Sequence, residues 1–294
     1  MKILVFGGTR FFGKRLVERL IESGHEVTIA TRGKTQDPFQ NQVKRVILDR
    51  RKRDDLFLLA SSETYDVIYD DICYSPQDAL YAIEAFQKSK PRLIFVSTLA
   101  VYPNKGKALV EADFDSVHYE IVTGDREDFD YGEGKKLAEA VYAQKAEFPV
   151  LSVRFPVVLG SKDYTKRIEF HLKRIEAGTE IGIQNEAAEI GFIHADEAAR
   201  FLEWAGTASE VTGPINATSN GQITLGDLMQ LFAEKLGKEV KIETVTEDED
   251  ESPYDLEDSY FLSNDYAKSL GFQFDELSDW LPNLVEDVVR QKDY

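Results

Sequence analysis

A glycine-rich turn between an apolar run and a helix-like run does most to constrain how this chain folds. The stretch is VFGGTRFFGKRLVERL at 5–20, in which Gly7, Gly8 and Gly13 follow the apolar KILVF at 2–6. Strand, glycine turn and amphipathic helix in this order bring backbone N–H groups to a helix N-terminus, where the helix dipole favours negative charge. The stretch therefore predicts a phosphate-binding βα turn, and a tight turn that binds nothing is the alternative.

Strand-like and helix-like segments alternate along the first part of the chain. The strand-like runs lie at 2–6, 26–31, 43–48, 66–71 and 91–97. Helical patterns separate them at 13–23, 54–60 and 77–87. This alternation predicts an α/β fold with a doubly wound parallel sheet of the Rossmann type. Two later segments, 190–194 and 213–218, also look like strands, and we expect them to return to the same sheet.

The length of the chain leaves room for a second domain. At 294 residues the chain lies near the size at which a single hydrophobic core divides into two. We predict a Rossmann domain at 1–158, completed by the return segment 190–218, and a smaller α/β lobe at 159–294.

The charge of the chain argues against nucleic acid as a partner. Its formal net charge is −18 at pH 7, which opposes the counterion release that drives binding to phosphate backbones.

No apolar stretch approaches the roughly 20 residues that cross a bilayer, so we expect no membrane association. The sequence begins at Met1 without the pattern of an export signal and contains a single cysteine, Cys73. We therefore expect a cytoplasmic protein.

A second motif has the residue types and the spacing of a catalytic acid-base pair. Tyr131 and Lys135 are four apart in YGEGKKLAEAVYAQK, so a helix places them on one face. An ammonium near a phenol stabilises the phenolate and lowers its pKa from about 10 toward neutral pH. About one such spacing is expected by chance in a chain of this composition, so the pair gains weight only from its context. That context is LIFVSTLAVYP at 93–103, where a strand ends in Ser97 and Thr98.

Several motifs resemble those of the extended short-chain dehydrogenase/reductase family, which contains the NAD(P)-dependent epimerases and dehydratases. The spacing of Gly7, Arg10 and Gly13 is similar to its G-x-x-G-x-x-G, with arginine in place of the middle glycine. Three later segments resemble further family motifs. LIFVSTLAVYP is similar to the motif S-[ST]-x-x-V-Y, and VRFPVVLG is similar to R-x-P-x-x-x-G. FIHADEAARFL is similar to F-I-x-V-x-D-x-A. The resemblance spans nearly the whole chain, and the opening GGTRF resembles an atypical branch.

The resemblance implies a dinucleotide cofactor on the glycine turn. Arg10 lacks the left-handed backbone freedom of glycine, so we expect the turn to close differently. The second strand ends in ATRGK, with Arg32 and without the acid that usually binds the ribose 2′-hydroxyl of NAD. Arginine pairs well with a 2′-phosphate, so Arg10 and Arg32 favour NADP as the cofactor. NAD is the alternative cofactor. A further alternative is that the two arginines are ordinary surface residues without a role in binding. Asp49 falls where the family places an acid against the adenine amine. The predicted cofactor-binding residues are Gly7, Gly8, Thr9, Arg10, Phe11, Phe12, Gly13, Arg32, Asp49 and Lys135.

The resemblance also implies roles at a catalytic centre. Tyr131 would exchange a proton with the substrate oxygen, and Thr98 would hydrogen-bond the same oxygen. Lys135 would lower the pKa of the tyrosine and hold the nicotinamide ribose. We expect structural roles for His171 and His194 and no metal site, because no cluster of ligand residues with workable spacing is visible.

The reaction and the substrate stay open at this point. We expect hydride transfer at a hydroxyl or carbonyl carbon of a small molecule, and a sugar-like substrate is one option. The FPVVLG segment lacks the asparagine that usually holds a sugar-nucleotide diphosphate, and Leu99 and Ala100 stand where a dehydratase carries Asp and Glu. Reductase and epimerase therefore rank above dehydratase. The alternative is a non-catalytic protein of the same fold that senses NADP or binds RNA, since GGTRF also resembles a plastid branch that binds stem-loop RNA. A homodimer, common in the family, also stays open.

Overall fold

The computed structural model describes residues 1–245 and 247–291, which form two compact units. The first unit comprises Met1–Pro103, Glu111–Phe155 and Ala195–Ala217. The second unit comprises Asn104–Val110, Pro156–His194 and the part of Thr218–Tyr294 that the structure describes. The lobe predicted at 159–294 includes Thr246 and residues 292–294, which lie outside the described residues.

The elements alternate in the order that the sequence pattern indicates. The strands are β1 (Lys2–Phe6), β2 (Glu26–Thr31), β3 (Lys44–Ile47), β4 (Val67–Asp70), β5 (Arg92–Thr98), β6 (Ala108–Leu109), β7 (Val150–Phe155), β8 (Val157–Leu159), β9 (Glu180–Gly182), β10 (Glu189–Ile190), β11 (Phe192–His194), β12 (Gly213–Asn216), β13 (Ile223–Thr224), β14 (Lys241–Glu243) and β15 (Phe261–Leu262). The helices are α1 (Phe11–Glu22), α2 (Arg53–Ser62), α3 (Pro76–Phe86), α4 (Tyr131–Lys145), α5 (Arg167–Ala177), α6 (Ala195–Thr207), α7 (Leu225–Leu236), α8 (Asp265–Ser269) and α9 (Leu277–Gln291). Within the described residues, none of these helices has both the length and the apolar character that a membrane span requires.

A seven-stranded parallel sheet forms the centre of the first unit. Its strand order is β12-β7-β5-β4-β1-β2-β3, and every neighbouring pair is parallel. The order reverses at β1, with β2 and β3 on one side and β4, β5, β7 and β12 on the other. Ligands of such sheets bind outside the carboxyl ends of the strands at this switch point. The predicted Rossmann-type fold is therefore confirmed.

Helices cover both faces of this sheet. Helix α1 packs against α6, while α2 contacts α3 and α3 contacts α4. Leu4 and Phe6 of β1 lie in one core with buried residues of α2, α3 and α4, because alternate side chains of a strand point to the same face. Strand β4 is buried along its whole length, and so is most of β5, as is typical of central strands with helices on both sides.

The second unit has a hydrophobic core of its own. Leu172 of α5, Phe232 of α7 and Val285 of α9 are buried together in this core. Short strand pairs accompany the helices: β8 with β11, β9 with β14 and β6 with β15 are parallel, and β10 with β13 is antiparallel. The unit is thus a small mixed α/β structure.

One of the two expected return strands joins a different partner. Segment 213–218 enters the central sheet as β12 beside β7, as predicted. Segment 190–194 does not, because the edge of β7 is already occupied by β12, and β11 pairs with β8 instead. The expectation that 190–194 returns to the central sheet is therefore wrong. Segments 156–159 and 190–194 both belong to the second unit, whereas the predicted Rossmann domain ends its first part at residue 158 and includes 190–194.

Candidate functional site

The glycine turn lies at the switch point of the central sheet, between β1 and α1. Gly7 and Gly8 have φ angles of 100° and 75°, a left-handed region that glycine enters without a steric penalty. The N–H of Gly7 donates to the carbonyl of Ala30 at 3.1 Å, which ties the turn to the end of β2. Helix α1 begins at Phe11, two residues before the predicted start.

Close packing explains why glycines occupy the other positions of the turn. A Cβ added to Gly8 would lie 2.8 Å from Cγ2 of Val17 and 3.0 Å from Cγ1 of Val5. A Cβ added to Gly13 would lie 2.8 Å from Oδ2 of Asp71. Side chains at these positions would push α1 away from the turn, and the backbone would lose its close approach to a ligand.

Arg10 is the N-cap of α1 and has an extended backbone, with φ −136° and ψ 154°. The next residue, Phe11, takes the left-handed conformation, with φ 47°. The Arg10 side chain makes no cap hydrogen bond, and the first turn of α1 contains no acid. A helix N-terminus without a nearby acid in its first turn favours an anion, because the helix dipole stabilises negative charge there.

Arg32 and Asp49 follow β2 and β3 at the same edge of the sheet. Because β1, β2 and β3 are adjacent and parallel, their carboxyl ends bring Arg10, Arg32 and Asp49 into neighbouring segments. Both arginines are exposed. Asp49 is half-buried, and its Oδ1 accepts a hydrogen bond from the N–H of Arg51 at 3.1 Å. The residues predicted to contact the adenosine half therefore share one edge.

Lys135 of α4 is buried at the carboxyl ends of β4 and β5. The residue is 2% exposed. Its Nζ donates to the carbonyl of Cys73 at 2.8 Å and to that of Val96 at 2.7 Å. The same Nζ lies 4.7 Å from the ring centres of Tyr74 and Phe95. An ammonium has three N–H donors, so two bonds to carbonyls leave one for a ligand.

Tyr131 precedes this lysine by four residues in α4, whereas Thr98 is the last residue of β5. Tyr131 is the first residue of α4, is 54% exposed and packs its ring against Tyr74, with ring centres 6.3 Å apart. Within the described residues, no hydrogen bond joins the Tyr131 hydroxyl to Lys135. The ring of Tyr74 packs against both members of the predicted pair. Oγ1 of Thr98 accepts a hydrogen bond from the N–H of Ala100 at 3.2 Å. The hydroxyl proton of Thr98 is left to donate to a ligand.

A buried ionic network supports the end of β5, which carries Thr98. Arg154 of β7 is fully buried, and its guanidinium pairs with the carboxylate of Glu139 on α4. Oγ of Ser97 donates to Oε2 of Glu139 at 2.7 Å. Nη1 of Arg154 also donates to the hydroxyl of Tyr102 at 2.6 Å. The network therefore joins β5, β7 and α4.

Asp71 is a residue of this region that sequence reasoning did not select. It follows β4, and although the residue is half-buried, both carboxyl oxygens are buried and have no hydrogen-bond partner among the described residues. Burial and the neighbouring Asp70 raise the pKa of Asp71 to about 7, against the opposing effect of Lys135. The available signal was the pair of aspartates that ends DVIYDD, since β4 lies next to β1 in the sheet.

The two histidines have contacts of their own in the second unit. Nε2 of His171 lies 2.8 Å from Oγ of Ser252, and its ring stacks on that of Tyr254 with centres 4.9 Å apart. Burial lowers the pKa of His171 to about 4. The ring of His194 packs against Trp280. In the part of the chain that the structure describes, no group of three or more His, Cys, Asp or Glu could hold a metal ion.

The donor groups fit a dinucleotide that runs along the carboxyl edge of the sheet. The start of α1 behind Gly7 and Gly8 suits a pyrophosphate, because N–H groups and the helix dipole stabilise negative charge. The remaining N–H of Lys135 and the hydroxyl of Thr98 suit oxygen atoms farther along that edge. Asp71 is the exception, because a charged carboxylate beside the turn would repel a diphosphate.

Comparison with solved structures shows the same fold in two sugar-nucleotide enzymes. The UDP-glucose 4-epimerase of Thermus thermophilus, solved with NAD, matches with a TM-score of 0.73 and 19% identity over 99% of this chain and 100% of that chain. The dTDP-glucose 4,6-dehydratase of Bacillus anthracis str. Ames, also solved with NAD, matches with a TM-score of 0.76 and 16% identity. That alignment covers 100% of this chain and 97% of the dehydratase.

Comparison of sequences gives a match to one family model and to a curated relative. Residues 3–71, which contain the glycine turn, match the model of the NAD dependent epimerase/dehydratase family. The chain is 27% identical over 251 residues to the chloroplast stem-loop binding protein of 41 kDa b of Arabidopsis thaliana. This alignment covers 80% of the chain, and the chain spans only 63% of the length of that relative. Residues 3–71 are thus similar to the NAD dependent epimerase/dehydratase family, and the chain as a whole shares the fold of the solved epimerase and dehydratase.

Proposed function

We propose that this chain is an NAD(P)-dependent oxidoreductase or epimerase that acts on a hydroxyl or carbonyl carbon of a small molecule. The observation that carries this proposal is the N-terminus of α1 behind Gly7 and Gly8, at the same sheet edge as the buried Lys135. The match of residues 3–71 to the epimerase/dehydratase family model supports it, as does the fold shared with an epimerase and a dehydratase that were solved with NAD.

Three residues have separate roles in the proposed reaction, namely Tyr131, Thr98 and Lys135. A bound dinucleotide supplies the carbon that accepts a hydride or returns it. The phenolate of Tyr131 would take a proton from a substrate hydroxyl and become a phenol, or its phenol would give one to a carbonyl oxygen and become a phenolate. The Thr98 hydroxyl would donate a hydrogen bond to the same substrate oxygen. Lys135 keeps two N–H groups on backbone carbonyls and offers the third to a ribose hydroxyl, which orients the nicotinamide.

NADP is the cofactor that we propose ahead of NAD. The exposed Arg10 and Arg32 follow β1 and β2, and β2 ends without the acid that a 2′-hydroxyl usually requires. A guanidinium forms two parallel hydrogen bonds with a phosphate, whereas a carboxylate at this place would repel it.

We propose epimerase or reductase chemistry on a small molecule ahead of dehydration, because Leu99 and Ala100 follow Thr98 and neither can act as an acid or base. A homodimer through α4 and α3, which pack on each other, belongs to the same proposal.

We place the protein in a reducing compartment such as the cytoplasm, since Cys73 is buried and forms no disulfide, and burial raises the pKa of its thiol.

Turnover assays with a tyrosine variant test the proposal. NADPH oxidation with a panel of aldehydes and ketones detects a reductase, and chromatography of sugars incubated with catalytic NADP detects an epimerase. We expect Tyr131→Phe to lose at least about 100-fold in rate, the usual contribution of a general acid or base. Tyr266→Phe removes an exposed hydroxyl of the second unit and should keep the wild-type rate. An unchanged rate in Tyr131→Phe removes the catalytic role.

A non-catalytic relative is the second candidate, and the match to a stem-loop binding protein is the observation that favours it. The net charge of −18 opposes RNA binding, because a chain with excess negative charge repels the phosphates. Fluorescence anisotropy with a stem-loop RNA at about 50 and about 200 mM salt separates the two candidates. Submicromolar binding that persists at the higher salt favours RNA, and tight NADP binding without turnover favours a sensor.

A further inference from the structure

An unpartnered carboxyl lies beside the glycine turn. Both oxygens of Asp71 are buried and lack a hydrogen-bond partner among the described residues. Oδ2 lies 2.8 Å from the place of a Cβ on Gly13, and the Cβ of Asp71 lies 3.7 Å from the place of a Cβ on Gly7. The side chain therefore contacts both ends of the turn. Buried acids almost always have a partner, so this one requires an explanation.

The charged groups around Asp71 are committed to other partners. The carboxylate of Asp70 pairs with Arg50 and accepts a hydrogen bond from the hydroxyl of Tyr142 at 2.8 Å. Lys135 attracts Asp71, but its Nζ is bonded to two backbone carbonyls. On the α1 side the neighbours are atoms of the glycine turn. Burial next to Asp70 thus favours the neutral acid, and the pKa of Asp71 rises to about 7.

We propose that Asp71 belongs to the dinucleotide site and takes up one proton when the dinucleotide binds. This inference rests on the proposed function. A pyrophosphate carries negative charge and repels a second negative charge close to the turn, so it binds best when Asp71 is neutral. The proton comes from the solvent and converts the carboxylate to a carboxylic acid.

This coupling has a definite sign. The complex binds the proton more tightly than the free chain, so affinity falls as the pH rises through the pKa of Asp71. With a pKa of about 7 in the free chain, the Kd for NADH should increase at least about tenfold between about pH 6 and about pH 8.5. NADH is the probe because it lacks the 2′-phosphate of NADPH, and a phosphate monoester titrates near pH 6.

Calorimetry of NADH binding tests the inference without an activity assay. Titrations at pH 6, 7 and 8.5 in two buffers of different ionisation enthalpy give both the Kd and the number of protons taken up. We expect uptake of close to one proton at pH 8.5 in the wild type and none in Asp71→Asn, whose Kd should not change with pH. Glu127→Gln, which neutralises an exposed acid paired with Arg51, should behave as the wild type. Circular dichroism at each pH establishes that every sample is folded.

Several results would overturn the inference. Wild-type pH dependence in Asp71→Asn would do so, and so would weaker NADH binding by this variant at every pH, which indicates a charged acceptor. If the Asn variant does not fold, the wild-type proton count decides alone, and an uptake of zero rejects the role. If neither NADH nor NADPH binds the wild type at any pH, the proposed function fails and this inference fails with it.

Discussion

The ammonium of Lys135 donates to the backbone carbonyl of Val96 over 2.7 Å. A second bond, to the carbonyl of Cys73 at 2.8 Å, ties the same nitrogen to the segment after β4. The lysine proposed to hold the ribose therefore also joins α4 to two central strands. Its role in folding and its role in binding require separate measurements.

Lys135→Met should lower the free energy of unfolding by about 2–4 kcal/mol, because it removes two buried hydrogen bonds from a charged donor. Urea unfolding measures this change. Lys136→Met is the matched control, since the next lysine is half-buried and pairs with Glu133 at 3.4 Å, and it should cost less than about 0.5 kcal/mol. Equal losses in the two variants would contradict the structural role. Dinucleotide affinity, measured on folded samples, should fall in Lys135→Met alone.

Arg154→Met should be among the most damaging substitutions in the first unit. It leaves the buried carboxylate of Glu139 without its cation, and breaking a buried ion pair costs about 3–5 kcal/mol. The double variant Arg154→Met with Glu139→Met should be more stable than Arg154→Met, because no lone charge remains. Arg15→Met breaks an exposed pair with Asp196 and should cost less than about 1 kcal/mol. A double variant less stable than Arg154→Met would refute this explanation.

Arg32→Ser tests the proposed preference for NADP. Loss of charge-assisted hydrogen bonds to the 2′-phosphate, worth about 1.5–3 kcal/mol, should raise the Kd for NADPH at least about tenfold. The Kd for NADH should change less than about twofold, because NADH has no 2′-phosphate. Lys34→Ser, on the same exposed loop, is the control. Equal weakening of both dinucleotides would show that Arg32 does not select between them.

The second unit should lose stability in mild acid because of His171. Its pKa is about 4 in the folded chain and about 6.5 when unfolded, so the unfolded state binds the proton first as the pH falls. The contribution is fully present above about pH 6.5 and is lost toward pH 4, with a loss of about 2 kcal/mol at pH 5. Urea unfolding of a Trp204→Phe chain, followed by Trp280 fluorescence, measures it. His171→Gln should show less loss between pH 7 and 5, and an equal loss would argue against this histidine.

Local patterns in the sequence were enough to predict much of the first unit. Apolar runs of strand length separated by helical runs specify β1 to β5 and α1 to α3, because burial on both faces of a parallel strand leaves a continuous apolar signal. The glycine turn was equally visible, since its place between a strand and a helix depends only on neighbouring residues.

Long-range packing accounts for what could not be predicted. The pairing of Arg154 with Glu139 joins a strand to a helix, and no local pattern specifies it. The unpartnered state of Asp71 depends on how β4 meets the turn, and the position of β11 depends on β12 occupying the edge of β7. Phe11 takes a left-handed backbone conformation, which the spacing of the glycines does not indicate.

Calorimetric titration of the purified chain with NADPH and NADH in parallel tests the central claim, that the glycine turn binds a dinucleotide. We expect one site per chain for both, tighter binding of NADPH, and at least about tenfold weaker binding of both to Gly13→Ala, whose Cβ would lie 2.8 Å from Asp71. The absence of saturable binding of either dinucleotide to folded wild-type protein, or equal binding to Gly13→Ala, would contradict the claim.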